Sequence, residues 1–186
     1  MSVKDKQVYD KFDTSNENIY NKITNRQMLN LNYELMRSTP TKRPFVVFVA
    51  SCWDLLHAGH CIMLEDAKRQ GKFQAGDRPV YLVAGLHTDP TINRSGKNIP
   101  ILSLDERRIL ISSNKHVDWV LEYATEDDLL HILQDLSIDL RVLGSDWKSK
   151  EYTGYSLKHI PVYFHHRNHS YSTSDLRKRV AQAERS

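Results

Sequence analysis

The stretch FVVFVASCWDLLHAGHCIML, residues 45–64, decides how the chain is read. It opens on FVVFVA, a continuous apolar run that reads as a buried strand. His57 and His60 follow, with only Ala58 and Gly59 between them. A helical pattern then begins, predicted over Gly59–Gln70, with Ile62, Met63 and Ala67 on one side and Glu65, Asp66, Lys68 and Arg69 largely on the other. A helix start leaves backbone N–H groups without partners and carries the positive end of the dipole, so it attracts anions. His57 enters just before that start and His60 lies in its first turn, so both rings can face one anion. Gly59 carries no side chain to keep a phosphate from the backbone. A single histidine would be ordinary. The pair around a glycine, between strand and helix, points to function.

Working outward, the pattern repeats. PVYLVAGL (79–86), HVDWVLEY (116–123), DLRVLGS (139–145) and PVYFHH (161–166) read as further strands. SLDERRILIS, TEDDLLHILQDL and YSTSDLRKRVAQAE read as helices. Their starts carry capping residues: Ser103 with Glu106, Thr125 ahead of an acidic turn, and Ser172 with Asp175. Strands alternating with helices predict an α/β fold, a Rossmann-like doubly wound parallel sheet of about five strands. In such sheets ligands bind beyond the carboxyl ends of the strands. The unusual residues cluster there: SCWDLLHAGH, HTDPTINRSGKN, GSDWKSK and HHRNHSYST each follow a strand.

These segments suggest chemistry. The loop from His87 to Leu102 is long for a compact domain and carries Arg94 and Lys97, which suits a lid over a polyphosphate. Arg167 precedes a helix start bearing Ser172, Thr173 and Ser174, a second anion site. His165 and His166 are adjacent on a strand, so they point to opposite faces and do not share a metal; no metal-ligand set is expected. There is no G-x-S-x-G and no P-loop. Two facing anion sites without a covalent catalyst suit transfer at phosphorus, which rests on positioning and charge stabilisation.

Composition bounds the rest. The 186 residues are 40% hydrophobic, enough for one domain with a core. No apolar run approaches the roughly 18 residues of a membrane span. The polar start MSVKDKQVYDKF predicts no signal peptide, and Cys52 and Cys61 form no disulfide framework, so the cytoplasm is expected. The net charge of +3 comes wholly from residues 1–43, which argues against nucleic acid as a partner. That segment holds six of the ten asparagines and no glycine. It reads as a partly helical N-terminal extension, 1–43, ahead of a catalytic domain, 44–186. Its apolar face is expected to pack on the body or on a second subunit.

WDLLHAGH, followed later by YSTSDL, resembles the nucleotidyltransferase superfamily marked by an H-x-G-H motif. Within it the chain is most similar to the cytidylyltransferase branch, glycerol-3-phosphate cytidylyltransferases above all. GLHTDPTI, SLDERR, KHVDWV and LGSDWKSKEYTG support the likeness, which runs from about Phe45 to Val180. The resemblance implies that a phosphorylated alcohol attacks the α-phosphorus of CTP, with Mg²⁺, giving a CDP-alcohol and pyrophosphate. It implies that His57 and His60 stabilise the transition state and that Lys97, and less so Arg94, reach the phosphates. Arg167, Ser172 and Thr173 would hold the β- and γ-phosphates, and Asp146 would stand near the ribose or base. Cys52, Trp53, Asp54, Gly59, Lys115, Asp118 and Gly144 fall in segments that line the nucleotide site. A homodimer is implied. NIPILSLDERR and VDWV also resemble the heptose adenylyltransferases, which makes ATP with a sugar phosphate an alternative; a non-catalytic nucleotide-binding module is another. Ser51-Cys52-Trp53-Asp54 replaces the usual Gly-Thr/Cys-Phe-Asp, and Lys115 replaces a common arginine. These departures bear on the acceptor more than on the reaction class.

Overall fold

The alternating direction of side chains along the first strand sets the two faces of the sheet. In a computed structural model, which describes residues 43–92 and 96–185, Val46 and Phe48 face one layer while Phe45, Val47 and Val49 face the other. All five are buried, so the strand must be covered on both sides. The elements are β1 (Phe45–Ser51), α1 (Ala58–Ala75), β2 (Val80–His87), α2 (Leu104–Ser112), β3 (Trp119–Tyr123), α3 (Glu126–Asp135), β4 (Leu140–Gly144), β5 (Val162–His165) and α4 (Thr173–Ala183). A 3₁₀ turn, Ser145–Trp147, follows β4.

The five strands are parallel in the order β3-β2-β1-β4-β5. Leu64, Ala67 and Ala75 of α1 and Ile111 of α2 pack on one face with Leu82, Ala84 and Val142. Leu129, Ile132 and Leu133 of α3 pack on the other with Val83 and Leu121. Each such side chain, fully buried, contributes roughly 1.5–3 kcal/mol of hydrophobic free energy before chain entropy is subtracted. The order reverses between β1 and β4, so the crevice opens beyond Ser51 and Gly144. H-A-G-H follows the first of these strands and G-S-D-W the second.

Three details differ from the sequence reading. α1 runs to Ala75, past the expected end at Gln70. β3 begins at Trp119 rather than His116, because the Asp118 carboxylate accepts the Leu82 N–H at 2.7 Å and so ends the ladder there. Asp66, expected on the polar side of its helix, is buried, because α1 turns it toward β5, where His165 and Tyr163 bond it. The segment 1–43 lies outside the described residues except for Arg43, whose guanidinium bonds Asp139. Among the described residues no helix is long and apolar enough to cross a membrane.

Candidate active site

The turn after β1 does two things at once. Trp53 and Leu55 adopt φ values of 54° and 46°, left-handed conformations that a bulky side chain rarely takes. The turn drops Trp53 into the core, where its indole N–H donates to the Gly85 carbonyl at 2.8 Å and its ring meets His60 edge to face at 5.3 Å. The chain then enters α1 with His57 as N-cap. Its Nδ1 accepts the Gly59 N–H at 3.1 Å, while His60 Nδ1 accepts the His57 N–H in a long contact of 3.5 Å. This is a capping box in which both caps are imidazoles. The rings stack with centroids 4.0 Å apart.

Those bonds fix the chemistry of both rings. Burial first, then His57 and Arg167 nearby, push the His60 pKa down to about 3. Burial and Arg167 likewise lower His57. Both rings are therefore neutral at pH 7. Since each Nδ1 is occupied as an acceptor, each proton sits on Nε2. The pair presents two N–H donors at a helix start that has no acidic residue in its first turn.

The second anion site meets the first. Thr173 Oγ lies 3.3 Å from His57 Nε2 and 3.4 Å from the Asp54 carbonyl, so α4 begins against the cap of α1. Ser172 caps α4 by accepting the Asp175 N–H at 3.1 Å. Arg167 is exposed and stands 3.8 Å from Asp146. Gly144 makes room for them: a Cβ there would collide with the Asp146 carboxylate and come within 3.5 Å of the Arg167 guanidinium. Gly59 is similarly enclosed, by His57 and His169, each with a ring atom 3.0 Å from the point a Cβ would take. Thus His57, His60, Gly59, Gly144, Asp146, Arg167, Ser172 and Thr173 gather at the crevice.

Other candidates stand elsewhere. Lys97 is exposed on the β2–α2 connection, and Arg94 lies outside the described residues. Asp54 is 5% exposed and fully engaged: it accepts from the Ile101 and Leu102 N–H groups, each at 3.0 Å, and from Arg177 at 2.6 Å. Burial alone would raise its pKa, but those hydrogen bonds outweigh burial and lower it. It ties α4 to the loop rather than facing the crevice. Cys52 offers its carbonyl to Arg107 at 3.0 Å, and burial pushes its thiol pKa up. Trp53 reaches the site only through His60. Lys115 and Asp118 precede β3, at the amino end of the sheet, because α2 carries the chain back from the crevice; Asp118 pairs there with Lys68. They are not brought to the histidines.

The sequence reading missed Arg107, Asp66 and Arg177. Arg107 is 2% exposed and donates to the carbonyls of Leu102, Cys52, His87 and Thr88, binding together the ends of β1 and β2. Its signal was periodic: Leu104, Arg107 and Ile111 share one helical stripe. Among the described residues no three His, Cys, Asp or Glu side chains converge as a metal-binding group.

Known proteins are similar to this chain. The bifunctional protein HldE of Helicobacter pylori is 34% identical over 125 residues, 67% of this chain and 25% of that protein. HldE of Pseudomonas paraeruginosa is 36% identical over 59% of the chain and 21% of that protein. The chain thus spans about a quarter of the length of these curated relatives. A lipopolysaccharide core biosynthesis protein of Thermoplasma volcanium superposes with a TM-score of 0.50 at 25% identity, covering 69% of this chain and 98% of that one. Residues 48–179 match the cytidylyltransferase-like family model, and the chain belongs to that family, within the nucleotidyltransferase superfamily.

Proposed function

We propose that the chain transfers a nucleotidyl group from a nucleoside triphosphate to the phosphate of a phosphorylated alcohol or sugar. The observation that carries this is the imidazole capping box, in which the Nδ1 atoms of His57 and His60 hold N–H groups at a helix start that has no acidic residue in its first turn. An oxygen of the acceptor phosphate attacks the α-phosphorus. The new P–O bond forms as the bond to the bridging α–β oxygen breaks, and pyrophosphate leaves with that electron pair. Charge gathers on the α-phosphoryl oxygens, where donors already in place stabilise it. Arg167, Ser172 and Thr173 suit the leaving pyrophosphate. Mg²⁺ would ride on the triphosphate and offset its charge, held mainly by the substrate phosphates, with the Asp146 carboxylate, 3.8 Å from Arg167, at the same crevice.

Two donors compete. Family membership and the G-S-D-W segment support CTP with a glycerol 3-phosphate-like acceptor. The likeness of NIPILSLDERR to heptose adenylyltransferases, the HldE relatives and the lipopolysaccharide core biosynthesis neighbour favour ATP with a sugar phosphate. Incubation with Mg²⁺, each nucleoside triphosphate and a panel of phosphorylated polyols and sugars, following pyrophosphate, separates them. Turnover with ATP alone excludes the cytidylyl reading; tight nucleotide binding without turnover on any acceptor indicates a binding module.

A further inference from the structure

The turn from Cys52 to Leu55 is held in a conformation its own residues disfavour. Trp53 and Leu55 both lie at positive φ, 54° and 46°, where a bulky side chain crowds the backbone. The turn is tied down from four directions. The Cys52 carbonyl accepts from Arg107 of α2 at 3.0 Å. The Trp53 indole N–H donates to the Gly85 carbonyl of β2 at 2.8 Å. The Asp54 carboxylate accepts from Ile101 and Leu102 of the loop before α2 and from Arg177 of α4. Such strain persists only where the surroundings over-determine it, and it clusters where a side chain must be aimed.

The side chain aimed here is the indole. Trp53 is fully buried, and its ring meets the His60 ring edge to face, with centroids 5.3 Å and planes 65° apart. His57 stacks on the same imidazole at 4.0 Å. His60 is thus in contact with a ring on each of two sides of the turn, with its Nδ1 toward the His57 N–H. An edge-to-face pair fixes the plane of a ring as well as its place. The charged and titratable groups around His60 are His57 on α1, Arg167 from the β5–α4 connection and Asp54 from the turn; only Asp54 favours a proton on it. Burial outweighs Asp54 and brings the ring to a pKa of about 3. The indole supplies part of that burial.

We propose that Trp53 is the positioning residue of His60: the strained turn presses the indole against the imidazole, fixes the plane of that ring and keeps water from it. Trp53 touches no substrate and acts through His60 alone. Its effect on turnover rests on the nucleotidyl-transfer reading above; its effect on the His60 ring does not. Without the indole, water reaches the imidazole and favours its charged form. A proton on Nδ1 can no longer accept the His57 N–H, so the capping box opens as pH falls. Three variants separate ring from bulk. Trp53→Phe keeps an aromatic ring and loses the N–H, while Trp53→Leu and Trp53→Met keep apolar bulk and lose the ring. Each is followed by thermal midpoint, by pyrophosphate release against pH, and by NMR titration of the His60 ring.

In wild type His60 should not titrate between about pH 5 and 8. In the Leu and Met variants it should titrate above about pH 5, with the acid limb of kcat moved upward by about one pH unit or more. Their kcat should fall roughly tenfold or more, with KM for the triphosphate within about twofold of wild type. Trp53→Phe should keep kcat within about threefold and the wild-type His60 titration. A lowered thermal midpoint with kcat and the titration unchanged in the non-aromatic variants would make Trp53 structural only and overturn the proposal. So would equal losses of kcat in the Phe and Leu variants. If neither non-aromatic variant folds, wild type decides: a His60 that titrates near 6.5, or the absence of a nuclear Overhauser contact between the two rings, overturns it. If wild type turns over no donor and acceptor pair, the nucleotidyl-transfer reading fails, while the titrations still decide whether Trp53 governs His60.

Discussion

The starts of α1 and α3 carry the same hydrogen-bond pattern with opposite consequences. At α3, Thr125 accepts the Asp128 N–H while the Asp128 carboxylate accepts the N–H groups of Thr125 and Ala124. Glu126, Asp127 and Asp128 then fill the first turn with negative charge. The positive end of that helix is compensated, and nothing remains for a ligand. At α1 the same box is closed by His57 and His60, and no acid stands in the first turn. The local accounting of N–H groups is met in both. Only at α1 does each capping side chain keep a second, protonated nitrogen, and only there is the dipole left for an anion. A capping box built from imidazoles keeps the helix start in order and leaves it available for binding.

Exchanging the two boxes breaks the comparison most sharply. His57→Thr with His60→Asp gives α1 the chemistry of α3. The helix should stay capped, gaining about 0.3–1 kcal/mol from a first-turn acid. Turnover should fall by roughly 10²–10³ or more, the cost of losing a transition-state donor. Pyrophosphate release and the thermal midpoint, taken together, check both halves. A lost fold would mean that the histidines are structural first.

The next effect concerns what holds the two anion sites together. Asp54 joins Arg177 of α4 to the loop before α2, and its removal leaves a largely buried guanidinium without its carboxylate. Asp54→Ala should cost about 3 kcal/mol in denaturant unfolding, in the range for breaking a buried pair. A cost below about 1 kcal/mol, as for exposed pairs, would show that α4 docks by other means.

Thr125→Ala removes one leg of the α3 box and should cost about 1 kcal/mol with turnover unchanged. An equal loss of turnover would erase the distinction between the two helix starts. The smallest expected effect is a pH dependence of stability. The folded pKa of His60 lies below its unfolded value, so the unfolded chain takes up that proton first as pH falls. Stability present above pH 6.5 is therefore lost on acidification, by about 0.7 kcal/mol between pH 7 and 6. His60→Gln should remove that portion of the slope in unfolding titrations, and an unaltered slope would mean that His60 is not buried neutral.

Much of this contrast was legible in the sequence. Ser103 with Glu106 and Thr125 with its acidic turn announced two helix starts, and both form as capping boxes. The buried run FVVFVA and the strand–helix alternation gave the parallel sheet, and the post-strand clusters located the crevice. The role of Asp54 was not legible, because its partners Arg177 and Ile101 are far along the chain. Nor was the burial of Asp66. Charge placed it outside, although Gly59, Met63 and Asp66 fall on one stripe of α1, and only β5 supplies the hydrogen bonds that permit it there. Lys115 and Asp118 sat in a segment read as site-lining, yet the return of α2 to the amino end of the sheet sets them apart. Local spacing reports caps and stripes. It does not report which distant segments the crossovers bring together.

The most direct measurement is pyrophosphate release by wild type and by the His57→Thr, His60→Asp variant, with Mg²⁺, CTP or ATP, and a panel of phosphorylated polyols and sugars. Wild type should release pyrophosphate only when donor and acceptor are both present. The variant, equally folded, should release it at least about a hundredfold more slowly. No release by wild type with any pair, or an undiminished rate in the variant, would contradict the account.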